Sequence, residues 1–194
     1  TRKESSAASD VYKRQYERML DVVGAGSTAV IDCAYPLPAE GARTGAGLRQ
    51  ALDRIMDEAE AAARGGSGLI VLTDERADAA RLAAPMILAT AGVHKRLTDA
   101  GLRTYCSIVV RTAETLDPHA FAVLIGAGAT AVNAWLAQDL FQERLDRGLY
   151  PGMNLRDACL NYKQGIEAGL MKTLARKGVS VISCLLYTSD AADD

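Results

Sequence analysis

Two regimes of hydrophobic patterning alternate along the chain: short apolar runs, and longer stretches in which apolar residues return every three or four positions. Thr28–Asp32 is a β-branched run that predicts a buried strand. Leu69–Thr73 is apolar at its first four positions, as expected of a parallel strand covered on both faces. Between them, Leu48, Leu52, Ile55, Met56 and Ala59 fall on one face of a helix predicted over Leu48–Arg64. Gly65 and Gly66 stop it, because glycine accepts the left-handed backbone that ends helices. A loop rich in proline and glycine, Pro36 to Gly47, joins the first strand to this helix.

The unit repeats. Helices are predicted over Pro85–Ala100, Pro118–Ile125, Ala137–Arg147 and Asn154–Lys177, and strands over Tyr105–Val110, Ala129–Asn133 and Val179–Ser183. Strands separated by helices call for right-handed crossovers and a parallel sheet. The class is therefore α/β: a parallel sheet of repeated βα units, either open and doubly wound or a partial (β/α) barrel.

Composition narrows the function more than the fold. A net charge of -2 gives no electrostatic reason to expect nucleic acid or an anionic membrane as partner. The longest apolar runs fall far short of a membrane span. Cys33, Cys106, Cys159 and Cys184 are widely spaced, which suits reduced thiols in the cytoplasm better than a disulfide frame or a zinc site.

Candidate chemistry is sparse. Gly24-Ala25-Gly26 and Gly126-Ala127-Gly128 resemble the start of a dinucleotide fingerprint, but each precedes a strand instead of following one, so both read as tight α-to-β turns. His94 and His119 are isolated and supply no metal-ligand spacing. Asp32, Asp74, Arg111 and Asn133 lie at or just beyond the C-terminal ends of predicted strands, where parallel α/β folds place their ligands. Asp and Asn also favour such positions for capping or for pairing across loops.

Several segments together resemble one family. Leu48–Arg64 followed by Gly68–Asp74, then Pro85–His94, Gly101–Thr104 and His119–Ala129, are similar to the central domain of glutamate synthase. Asn161–Ser180 is similar to the helix that leads toward that family's flavin domain. The chain departs from the pattern at Ala120, where a second histidine is usual, and at Asn133-Ala134-Trp135, where the family has Asn-Pro-Tyr. Two terminal strings, Ser5–Gln15 and Cys184–Asp194, instead resemble translated sequencing adaptors, so residues 16–183 are taken as the domain and residues 1–15 and 184–194 are set aside.

The resemblance implies a non-catalytic module with a degenerate barrel fold, joining a glutaminase domain to an FMN synthase domain. It implies FMN and an iron–sulfur cluster elsewhere in the parent protein, none in this chain, and a small reductase subunit as a further partner. The alternative reading is a stand-alone α/β enzyme that binds a small anion through its strand-end groups.

Overall fold

A computed structural model describes residues 16–37 and 44–186. Helix α1 (residues 16–23) leads into strand β1 (Thr28–Asp32). A short strand β2 (Ala34–Pro36) precedes helix α2 (Thr44–Arg64), followed by β3 (Leu69–Thr73). A second short strand, β4 (Arg81–Ala83), comes before helix α3 (Met86–Asp99). Then follow β5 (Ser107–Arg111), α4 (Pro118–Gly126), β6 (Ala131–Asn133), α5 (Trp135–Asp146) and α6 (Leu155–Lys177).

The central sheet has the order β1-β3-β5-β6, all parallel. Each new strand therefore adds outside the last one. A doubly wound sheet reverses direction at a switch point, so this sequential order is that of a singly wound, partial (β/α) barrel. Burial agrees. Ile31, Ile70, Leu72, Ile108 and Val110 pack with Ile55 and Ala59 of α2, Val93 and Leu97 of α3 and Leu124 of α4. Alternation along each strand sends Leu69, Val71 and Val109 to the opposite face, where Tyr16, Met19 and Leu20 of α1 cover them. That face corresponds to the interior of a closed barrel.

The expected strands and helices are found in order, with two exceptions. Val179–Ser183 forms no strand: Gly178 at φ 69° caps α6, and the chain bends and enters a short helical turn at residues 184–186. Val179 and Leu185 pack instead against Ala122 and Leu174 at the α4–α6 contact. The second is the pair of short strands β2 and β4, which the sequence pattern does not predict and which pair antiparallel with each other. Part of the predicted Pro36–Gly47 loop, and the terminal strings except residues 184–186, lie outside the described residues; α2 already begins at Thr44.

Two glycines are demanded by close approach. Gly169 lets α6 pass over the first turn of α4, since a Cβ there would lie 2.4 Å from the ring of Pro118. Gly128, at φ 110°, turns the chain from α4 into β6 with its Cα against the His94 side chain. Arg103 braces this turn, donating to His94 Nδ1 at 3.0 Å, to the Cys106 carbonyl at 2.7 Å and to the Gly128 carbonyl at 2.9 Å. His94 thus serves packing at the N-terminal end of the sheet, far along the strands from the candidate residues.

Candidate functional site at the strand ends

Register brings most of the sequence candidates into one row. Asp32 lies beside Thr73, Thr73 beside Arg111, and Arg111 beside Asn133, all on the face that would line a barrel. Each is the last residue of its strand. In this fold class that row borders the usual ligand position.

Arg111 sits at the centre, with its side chain only 11% exposed. Glu75, on the loop after β3, grips it from two sides: Nε to Oε2 at 2.6 Å and Nη2 to Oε1 at 2.5 Å. Nη1 donates to Asn133 Oδ1 at 3.0 Å, and the ring of Tyr16 from α1 lies 4.5 Å from the guanidinium carbon. Burial works against the charge on Arg111, but the hydrogen bonds and charge of Glu75 outweigh it and raise its pKa. Burial likewise pushes up the Tyr16 phenol, in part opposed by the Arg111 charge. A bidentate arginine–carboxylate pair of this kind fixes both partners in orientation. A shallow cavity of about 290 Å³ remains above it, walled by Tyr16, Trp135, Glu17 and Asp139.

Asp32 belongs to a different arrangement. Its carboxylate accepts from Arg81 of β4 and from the Ala34 N–H at 2.9 Å. Burial alone would raise its pKa, but these bonds, with the charges of Arg81 and Arg76, hold it below the ordinary value. Arg54 of α2 adds bonds to the Asp32 carbonyl at 2.8 Å and the Ala34 carbonyl at 3.2 Å. Asp32 therefore ties the β2–β4 ribbon to the end of β1. Asp74 turns inward and is 3% exposed. It accepts from Thr112 Oγ1 at 2.6 Å, from the Ala113 N–H at 2.9 Å and from Trp135 Nε1 at 2.8 Å, joining the loops after β3 and β5 to the start of α5. All four positions are engaged within the fold: Asp74 and Arg111 by residues of the strand-end loops and α5, Asp32 by Arg81 of β4, and Asn133 by Arg111 of β5. Glu75, Arg81, Tyr16 and Trp135 are the partners that sequence reasoning did not single out.

The thiols do not converge. Cys33 follows β1, Cys106 precedes β5 and Cys159 lies in α6; all three are free and buried. No cluster of three or more potential metal ligands occurs among the described residues. Burial pushes the Cys33 thiol up to about 12 and the Cys159 thiol up to about 11. At pH 8 a rise of that size leaves Cys33 with roughly a thousandfold less thiolate than an ordinary cysteine. Iodoacetamide is therefore expected to label Cys33 and Cys159 at least about 100-fold more slowly in the native protein than after denaturation. Peptide mapping of a time course checks this, and equal rates in both states would refute the burial assigned to them.

A partial, singly wound (β/α) barrel whose strand-end polar row is engaged by the fold's own residues defines the class of this domain. The sequence model of the glutamate synthase central domain matches residues 11–188, reaching a few residues into each terminal string. The chain is 48% identical over 169 residues to the glutamate synthase [NADPH] large chain of Azospirillum brasilense, covering 87% of this chain and 11% of that protein. It is 37% identical over 147 residues to the chloroplastic ferredoxin-dependent glutamate synthase of Spinacia oleracea, covering 70% of this chain and 9% of that protein. The chain belongs to the glutamate synthase central domain family. It spans about a tenth of the length of these relatives.

Proposed function

We propose that this chain is the non-catalytic central domain of a glutamate synthase large chain. Its work is to hold a glutaminase domain and an FMN synthase domain in register. The parent reaction then converts glutamine and 2-oxoglutarate into two glutamates: ammonia released in the first domain is passed to the second, where the imine is reduced. FMN, an iron–sulfur cluster and a small reductase subunit serve that other domain, and the parent works in the cytoplasm.

The observation that carries this reading is the filled strand-end row. Arg111 is clamped by Glu75, and Asp74 is engaged by Thr112, Ala113 and Trp135, so the position that such barrels give to a ligand is spent on bracing loops. The dispersed, buried cysteines do not fit a cluster ligand set. The match over most of the chain, at about a tenth of the relatives' length, supports a part within a longer protein. No described helix is long and apolar enough to cross a membrane. The stand-alone enzyme reading would require an anion to displace Glu75 beside Glu17 and Asp139, against their negative charge.

The purified chain is expected to release no ammonia from glutamine and to consume no reductant with 2-oxoglutarate and ammonium. Enzyme-coupled assays check both, and turnover above the blank in either would overturn the proposal.

A further inference from the structure

Arg103 is the exception among the half-buried arginines. Arg54, Arg81, Arg96 and Arg111 are the others among the described residues, and each pairs with a carboxylate. Arg103, on the short turn before β5, meets only uncharged acceptors: His94 Nδ1, the Cys106 and Gly128 carbonyls, and Thr130 Oγ1 at 3.3 Å. Burial disfavours its charge and lowers its pKa. The four bonds occupy four of the five guanidinium hydrogens, so that one on Nη1 has no acceptor among the described residues.

A cavity of about 280 Å³ opens beside this guanidinium, at the opposite end of the sheet from the Arg111 row. Its polar side chains are Arg103, Thr130 and Ser183, with Ile125 and Ile182 among its apolar walls. Thr130 Oγ1 already accepts twice, from Arg103 and from the Ile108 N–H at 3.2 Å, so its own hydrogen is what the hydroxyl has left to offer. No carboxylate is among the described residues that line the cavity. One guanidinium and two hydroxyls complement an acceptor that carries negative charge. The volume lies at the lower limit of small-molecule sites, which suits an anion of a few heavy atoms.

We propose that Arg103, Thr130 and Ser183 form a binding site for a small oxyanion taken from solution, of the size and charge of inorganic phosphate. The anion accepts from the remaining Nη1 hydrogen and from the two hydroxyls, and it neutralises a guanidinium that the fold itself leaves without a counter-charge. It also fastens the two turns that Arg103 already joins, the one before β5 and the one from α4 into β6. A cation is excluded from the same place by the charge of Arg103. The site stands independently of the coupling role, because none of its residues belongs to the strand-end row.

Heteronuclear NMR of the 194-residue chain, titrated with potassium phosphate against potassium chloride at matched ionic strength, tests this. Phosphate is expected to give saturable shifts at Arg103, Gly128, Thr130 and Ser183, with a dissociation constant on the order of 1–10 mM. T130S keeps the hydroxyl and should bind like wild type, whereas T130V should bind on the order of 3–10-fold more weakly. R103Q should abolish the saturable shifts; where loss of its bracing bonds prevents folding, the contrast between T130S and T130V decides the assignment. Shifts in the wild-type chain that stay linear in phosphate, or scatter over the surface, would overturn the proposal, as would equal affinity in T130S and T130V. Saturable binding confined to the D190N/D193N/D194N variant would assign Arg103 to the chain's own carboxylates and overturn it as well.

Discussion

Replacing Gly128 with alanine is expected to destabilise the domain by about 3–5 kcal/mol. Two costs combine at this position. The backbone has φ 110°, a region that L side chains rarely adopt, which costs about 1–3 kcal/mol. The new Cβ would also stand 2.5 Å from Cγ of His94 and 2.7 Å from Nδ1. Relief requires the ring to move, yet Arg103 holds it through Nδ1 while also fastening the Cys106 and Gly128 carbonyls. For a chain of this size the loss lowers the melting temperature by on the order of 10 °C. A double-mutant cycle separates the parts: adding H94A should recover the steric share and leave the backbone share. Calorimetry showing less than about 1 kcal/mol for G128A alone would contradict the packing at this turn.

The second large effect is expected at Asp74. D74A removes one buried acceptor from three donors, the Thr112 hydroxyl and the Ala113 N–H on the loop after β5 and the Trp135 indole at the start of α5. A buried donor left without a partner costs about 1–3 kcal/mol, so a total of roughly 3 kcal/mol is expected even if one of the three reaches water. D74N keeps one acceptor oxygen and should cost about half as much. Urea denaturation measures both, and Trp135 fluorescence reports the loss of its indole bond directly. A stability for D74A equal to wild type would mean that these loops are held by other contacts.

Much of this architecture was legible in the residues themselves. Leu69–Thr73 is buried at every position and pairs on both sides, as its unbroken apolar run predicts. Gly178 ends α6 in the left-handed conformation, and Asn154 caps its start by accepting from the Asp157 N–H. Both Gly-x-Gly strings are turns between a helix and a strand, as their position before a strand requires. The direction of winding was not legible. Open and barrel-type sheets use the same local units, and only the order β1-β3-β5-β6 separates them.

Long-range pairing set the other limit. Asp32, Asp74, Arg111 and Asn133 could be chosen because polar residues that end apolar strands stand out. Their partners could not: Glu75 is 36 residues from Arg111, Arg81 is 49 from Asp32, and Trp135 is 61 from Asp74. No periodicity links such pairs. The three-residue strands β2 and β4 are too short to carry an alternation signal and exist because they pair with each other. The opposite failure occurred at Val179–Ser183, where β-branched residues suggest a strand but Val179 is held at the α4–α6 contact and the chain bends into a helical turn.

The coupling role is tested most directly in the full-length parent protein carrying D74A, by measuring glutamine hydrolysed against glutamate formed from 2-oxoglutarate. If the central domain holds the two catalytic domains in register, glutamine hydrolysis and ammonium-dependent glutamate formation should each persist, while hydrolysis runs ahead of synthesis by several-fold. Tight one-to-one coupling retained in a variant whose central domain is measurably loosened would contradict the account.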